Sequence, residues 1–413
     1  MNQPVPSLSA PPVGPAPTLE IDLFSPETIA EPYECYREIR GAGPVVWLPR
    51  HGIWAMGRYA DVRASLGDHE TFSSAGGPGA NMPANLGMRG TIIASDAPAH
   101  DALREALGAP LGPGALKEVR SLIQAAAETL IADLVALDRF DAVADLAQVL
   151  PLTIVRTLVG LPQEGRDNML AWGAAAFDAL GPEGPRTTAA IEIVGQEIAF
   201  AMDPSLPGRM EPGGWGARIF EAAERGVVTR QQCAALVLDL INPSLDTTVH
   251  ATSALLVLLA RHPDQYERLR AEPSLIPHAI NEAIRLETPI RGFTRVSTRE
   301  QEYDGVTLPE GARTMVLFAS ANRDERKWSD PERFDVTRRP SDHLGFGFGA
   351  HSCIGMHLAR LEIQSLMEAI TRRVRRIEVR RTEPKPNQIL RGLAFADMSF
   401  DGIADRKEIG LST

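Results

Sequence analysis

The sequence predicts a mainly α-helical fold with a small β-rich portion. Three observations carry that prediction. Residues 115–137 repeat Val119, Leu122, Ile123, Ala126, Leu130 and Leu134 at helical spacing. Residues 229–261 are apolar around the whole helical circumference, which marks a buried helix. Strand signals are confined to short segments at 44–56 and near 301–317.

Taken in chain order, residues 1–18 (MNQPVPSLSAPPVGPAPT) are proline and small residues, which predicts a disordered lead-in before one domain spanning 19–413. Pro44-Val45-Val46-Trp47-Leu48, then Pro49-Arg50-His51-Gly52, then Ile53-Trp54-Ala55-Met56 reads as a β-hairpin. Residues 73–92, rich in Gly, Pro and Asn, read as a long loop, and such loops are often functional. Asp96 and Pro98 signal a helix start. On that helix His100 and Arg104 are spaced i,i+4 and project together, a basic pair suited to carboxylates. A solvated helix face accounts equally for the pair alone. Residues 205–217 form a Pro/Gly-rich break.

Inside the long apolar helix lies Asn242-Pro243-Ser244-Leu245-Asp246-Thr247-Thr248. A proline in a helix interior costs on the order of 3 kcal/mol, so Pro243 is expected to bend the helix and free a carbonyl near Asp239. Polar groups there are costly unless paired or used, and the Asp246 carboxyl and Thr247 hydroxyl are suited to handling protons. Downstream, Glu282 and Arg285 share one helix face at i,i+3. Arg333, in Pro331-Glu332-Arg333-Phe334, is placed to complete a Glu-Arg-Arg network. There is no internal repeat.

Composition narrows the function classes. The 413 residues are 44% hydrophobic, ample for a large core, and carry a formal net charge of −11. No basic run of the kind nucleic-acid binders use is present. Cys35, Cys233 and Cys353 are too few and too scattered for a disulfide framework or a zinc site, and suit a reducing compartment. No apolar stretch approaches transmembrane length and the N-terminus lacks signal-peptide features, so a cytoplasmic protein with no membrane or nucleic-acid partner is expected.

Cys353 is the most informative residue. It sits in Phe346-Gly347-Phe348-Gly349-Ala350-His351-Ser352-Cys353-Ile354-Gly355, a glycine-punctuated loop that runs into a helical stretch. The glycines let backbone approach a flat partner closely. The helix N-terminus and nearby amides are expected to favour the thiolate. A thiolate so placed can be the axial ligand of a haem iron.

These four constellations together resemble the cytochrome P450 superfamily of haem-thiolate monooxygenases, from about residue 20 onward. The resemblance implies a mostly helical fold with haem b between the long central helix and the Cys353 loop. Cys353 would be the proximal ligand to the iron. His100, Arg104, Arg295 (in Phe293-Thr294-Arg295) and His351 match positions that bind the haem propionates, and Phe346 and Gly347 belong to the loop against the haem. Glu282, Arg285 and Arg333 match the structural network beneath it. Asp246 and Thr247 match the acid–alcohol pair that delivers protons to O2. Relatives usually carry Ala-Gly where this chain has Pro243-Ser244, which puts coupling in question. No flavin or nicotinamide domain is present, so electrons from NAD(P)H would arrive through a ferredoxin reductase and a small ferredoxin. Arg360 and the cluster Arg372-Arg373, Arg375-Arg376 are candidates for its docking; a solvated helix end explains the cluster as well.

The chain is also similar to bacterial monooxygenases that O-demethylate para-substituted aromatic acids. Collinear stretches include Phe177-Asp178-Ala179-Leu180-Gly181-Pro182, Pro212-Gly213-Gly214-Trp215-Gly216-Ala217 and Ser320-Ala321-Asn322-Arg323-Asp324. That group holds the substrate carboxylate with a basic residue and a serine where this chain has Leu238 and Asp239. Those two should repel an anion, although Arg89 or Arg291 can still supply a cation. The implied small-molecule pocket is Phe177, Leu180, Leu238, Asp239, Leu240, Ser244, Ile92 and Thr294, and the implied reaction is hydroxylation or oxidative O-demethylation of an aromatic compound. Whether the substrate is an acid, a neutral methoxyarene or phenol, or an amine held by Asp239 stays open. A terpene or steroid hydroxylase is an alternative, and a non-catalytic haem-thiolate sensor or ligand carrier is one of another class; Asp246-Thr247 argues against the sensor.

Overall fold

The computed structural model describes residues 8–403. Its helical body follows from the apolar periodicities. Helix Pro113–Val135 starts on a proline, which suits the first turn, and buries Leu116, Ile123, Ala127, Ile131 and Leu134. It packs against helix Met356–Arg373, which leads away from the Cys353 loop. Helices Gln163–Asp178, Pro185–Met202 and Ile276–Leu286 complete the frame around the central pair. The largest apolar cluster runs through all of these helices, from Ile92 to Phe400.

The predicted 229–261 helix is two helices, Arg230–Ile241 and Asp246–Arg261. The first is started by a capping box, with the Thr229 hydroxyl accepting from the Gln232 amide. Pro243 breaks the helix rather than bending it. The Asn242 amide still reaches the Leu238 carbonyl at 3.0 Å, and the Ser244 amide falls back on the Ile241 carbonyl at 3.3 Å. The Ser244 hydroxyl satisfies the Leu240 carbonyl.

Among the described residues, ten strands form three sheets: β1 (Val46–Leu48), β2 (Ile53–Met56), β3 (Phe72–Ser73), β4 (Phe140–Asp141), β5 (Phe293–Ser297), β6 (Gln301–Tyr303), β7 (Val306–Leu308), β8 (Arg313–Val316), β9 (Val374–Pro384) and β10 (Leu393–Gly402). The largest runs β1-β2-β8-β5-β3. Its β1–β2 pair is the predicted hairpin, with Trp47 opposite Trp54. The long β9–β10 hairpin gave no sequence signal, because the adjacent pairs Arg375-Arg376 and Arg380-Arg381 interrupt the alternation of apolar and polar residues along β9.

Three further expectations are corrected. Residues 8–18 are not a disordered lead-in: Thr18 bridges to Trp47, the Trp47 amide donates to Pro17 at 2.8 Å, and Trp54 Nε1 donates to Ala10 at 2.9 Å. The first seven residues lie outside the described ones. The 73–92 loop contains a short helix, Met82–Gly87, capped by Asn81. One stretch, Ala142–Val159, does have the length and composition to cross a membrane, with a mean hydropathy of 1.5. Half of it is buried, and Leu146, Leu150 and Ile154 sit in the main core, as in a core helix.

Candidate active site

The Cys353 loop is shaped by its glycines. Gly347 and Gly349 have φ of 69° and 73°, and a Cβ at Gly349 would collide with the Leu66 carbonyl oxygen. The Cys353 amide donates to the Phe346 carbonyl at 2.9 Å and closes the turn. Cys353 is exposed, but into an internal cavity whose wall it shares with Phe346, Gly347 and His351. Burial pushes the Cys353 thiol up, against the Gly355 and Met356 amides and the Arg104 and Arg360 guanidiniums, which pull it down. Burial wins, so the expected thiolate preference is not a property of the protein alone. A coordinated metal would deprotonate the sulfur outright.

A basic rim borders the same side. Arg104 Nη2 donates to the Ser352 carbonyl at 2.6 Å, and the His100 and His351 rings meet at a tilt of 53° with centroids 4.3 Å apart. Arg295 donates to its neighbour Thr294's carbonyl at 2.9 Å; burial lowers its pKa to about 10. Burial, then Arg295, His100 and Arg104, push His351 down to about 3. His100 lies just behind the cavity wall, 2% exposed, with Nε2 lacking a hydrogen-bond partner among the described residues. An orphaned donor among two arginines and a second histidine fits a doubly anionic group seated beside Cys353.

The opposite wall is one stripe of the broken helix: Asp239, Leu240, Pro243, Ser244, Thr247, Thr248 and Ala251. Ile92, Phe177, Phe293 and Phe318 close it. Thr247 Oγ1 faces the cavity and donates to the Pro243 carbonyl at 3.1 Å. Asp246 turns away, 1% exposed, to Lys385 Nζ at 3.1 Å from Oδ1; its Oδ2 has no partner among the described residues. Asp239 Oδ2 accepts from the Ile92 amide at 2.8 Å, and burial raises its pKa to about 7.

Three expected pocket residues are elsewhere. Leu238 precedes the stripe by one position, about 100° off its face, and packs into the core. Thr294 alternates with the two wall residues Phe293 and Arg295, so it points to the other face of β5 and donates to Gly77 and Gly79. Leu180 lies past the end of its helix and is buried in a second apolar cluster. Neither spare cation lines the cavity: Arg89 is on the surface, and Arg291 is buried against the carbonyls of Asn387 and Gln388.

Beneath the loop, Arg285 pairs with Glu282 through Nε at 2.8 Å and Nη2 at 2.9 Å, both residues fully buried. Arg333 does not complete this network. Its side chain is 62% exposed and reaches Asp335, and only its carbonyl meets Arg285. Arg338 takes the place, with Nε 2.9 Å from Glu282 Oε1. Sequence reasoning also missed Lys385 and Glu362. Glu362 lines the cavity, and burial lifts its pKa to about 8. Thr248 follows from the helical stripe once Thr247 is placed on it. The arginine cluster is largely neutralised: Arg372 and Arg373 meet Glu128, Arg375 meets Asp401 and Arg376 meets Glu378. Arg360 stacks on Phe346 at 4.7 Å, beside the Cys353 loop.

Residues 217–399 match the family description "Cytochrome P450". Cytochrome p450 CYP199A2 of Rhodopseudomonas palustris is 39% identical over 387 residues, covering 91% of this chain and 93% of that protein. The chain belongs to the cytochrome P450 family. The P450 is therefore an oxidoreductase, a monooxygenase whose cofactor is haem b with thiolate ligation and whose oxidant is O2, with NAD(P)H supplied through redox partners. It is also similar to the beta-dihydromenaquinone-9 omega-hydroxylase of Mycobacterium tuberculosis, 30% identical over 91% of this chain and 77% of that protein. The P450 heme domain of Tepidiphilus thermophilus superposes with a TM-score of 0.80 at 27% identity, covering 94% of this chain and 98% of that one. Cys353 would hold the iron of the haem, and His100, Arg104, Arg295 and His351 its carboxylates.

Proposed function

We propose that this P450 oxidises a small aromatic substrate that carries no carboxylate, by hydroxylation or oxidative O-demethylation. The observation that carries the reading is the wall opposite Cys353. It is apolar except for hydroxyls and Asp239, and the two arginines of the cavity, Arg104 and Arg295, belong to the rim beside the Cys353 loop. A carboxylate there would meet a second carboxylate with no cation to offset either. Phe177, Phe293 and Phe318 offer ring faces and edges to an aromatic guest.

When bound, the haem supplies reductive activation of O2. The chain's own part is to position and to move protons. The stripe from Leu240 to Ala251 orients the substrate and excludes water. Thr247 offers its hydroxyl proton at the cavity face, and Asp246 replenishes it from the side of Lys385, which is 28% exposed. Electrons come from a small ferredoxin and its reductase, received near Arg360, in the cytoplasm.

The test is a spin-state titration of the ferric holoenzyme with 4-methylanisole and with 4-methoxybenzoate, followed by formaldehyde release with a surrogate ferredoxin system. The neutral ether is expected to convert low spin to high spin and to release formaldehyde, and the acid to do neither. A stronger response to the acid would overturn the reading.

A further inference from the structure

We propose that Asp239 is a subsite for a protonated amine, so that the substrate is an aromatic ring bearing a basic nitrogen. The inference rests on the aromatic reading above and deepens it. Asp239 belongs to the first half of the broken helix, four residues before Pro243, and stands on the cavity wall beside Leu240. One oxygen is committed: Oδ2 accepts from the Ile92 amide at 2.8 Å and ties the 88–95 segment to the helix. The other, Oδ1, receives no hydrogen bond from any described residue. No arginine, lysine or histidine among the described residues pairs with Asp239, and the charged and titratable groups that share the cavity, Arg104, Arg295, His351, Cys353 and Glu362, belong to the rim, the Cys353 loop and the helix behind it.

A carboxyl group held in an apolar wall with half its capacity unused has two stable conditions. It stays protonated, or it ionises against a cation that the ligand brings. Burial already holds it at the border between the two, near neutrality, with the Ile92 amide alone opposing. An amine that arrives protonated, or takes the Asp239 proton on entry, completes a pair that the protein leaves half-built. A neutral ligand of the same shape gains only the contact area, and an anionic ligand loses on both counts. Phe177 and Leu240 line the same cavity and give it the apolar surface an arylalkyl group needs.

The experiment uses the full-length ferric holoenzyme and two probes of one shape, 4-methoxy-N,N-dimethylbenzylamine and 4-isobutylanisole, in which the ammonium nitrogen is replaced by carbon. Dissociation constants come from the spin-state shift, for the native chain, Asp239→Asn and Asp239→Leu. Carbon monoxide difference spectra report that each variant holds its haem. The native chain is expected to bind the amine about tenfold tighter than the neutral ether, and Asp239→Asn to erase that preference while leaving the neutral ether within about twofold. Equal affinity for both probes in the native chain, or a preference that survives in both variants, overturns the proposal. So does a red-shifted low-spin spectrum with the amine in every variant, which means that the nitrogen reaches the iron instead. Failure of the aromatic reading itself looks different: neither probe perturbs the spectrum of any variant, Asp239→Leu included.

Discussion

The Lys385 ammonium sits 3.1 Å from Asp246 Oδ1, joining a lysine just past the end of β9 to a carboxylate in the first turn of helix Asp246–Arg261. Burial raises the Asp246 pKa, and Lys385 is the charge that pulls it back. Lys385→Met removes that pull, so the folded-state pKa climbs further above the unfolded one. Between the two values the folded chain holds a proton that the unfolded chain lacks, so stability falls as pH rises through that interval and is unaffected below it. Because Lys385 is partly solvated, the expected loss at pH 8 is about 1–3 kcal/mol, and smaller at pH 5. Denaturant midpoints at both pH values check this. Equal losses would mean that the lysine acts through packing alone.

The Glu282 network separates two arginines that the sequence cannot tell apart. Arg338→Ala is expected to cost about 1–3 kcal/mol, since Glu282 stays fully buried and loses one of its two cationic partners. Arg333→Ala should stay within about 0.5 kcal/mol, as its side chain lies at the surface. Thermal midpoints of the two holoenzyme variants decide it; a larger loss from Arg333 would restore the original assignment.

What was legible in the sequence was what is local in the chain. The Cys353 loop, the Glu282–Arg285 pair and the cost of Pro243 all act within one or two turns, and each appears where its spacing put it. Arg338 against Arg333 was not legible, because both lie in an irregular segment that is held from a distance, by Arg285 donating to the carbonyls of Pro331 and Arg333. Lys385 comes from 139 residues beyond Asp246. Leu238 and Thr294 are different: helical and strand periods, extended from Thr247 and Arg295, would have excluded both. The lead-in failed because composition says nothing of an edge strand, β1, that needs partners for its amides.

Glu197 offers a stability test independent of the reaction. It is fully buried, and the Asn242 side chain, with its NH2 turned to the carboxyl group, donates to both oxygens at 3.0 and 2.9 Å. Burial raises its pKa to about 8. From the ordinary carboxylate range up to that value the folded chain binds one more proton than the unfolded chain, so this residue makes stability fall with rising pH. Glu197→Gln removes the titration. It is expected to match the native chain at pH 5 and to exceed it by about 1–2 kcal/mol at pH 9, read from urea midpoints. A variant less stable at both pH values would show that the carboxyl group is needed to hold the break at Asn242.

Thr247 is the one hydroxyl of the Asp246-Thr247-Thr248 run that both faces the cavity and bonds back across the break, to Pro243 at 3.1 Å. Thr248 lines the same cavity but keeps the helix regular: its carbonyl accepts from Thr252 at 2.8 Å. Removing the Thr247 hydroxyl leaves the apolar contacts with substrate in place, so Thr247→Ala should bind substrate within about twofold of the native chain. NADH consumption should continue while product formed per NADH falls about tenfold, with hydrogen peroxide making up the difference. Thr247→Ser keeps an O–H at the same position and should recover most of the coupling, whereas Thr248→Ala should lose little. The measurement is the ratio of product to NADH with peroxide quantified in the same assay. Full coupling in Thr247→Ala, with loss appearing in Thr248→Ala instead, would move the proton-donating role one residue along the helix.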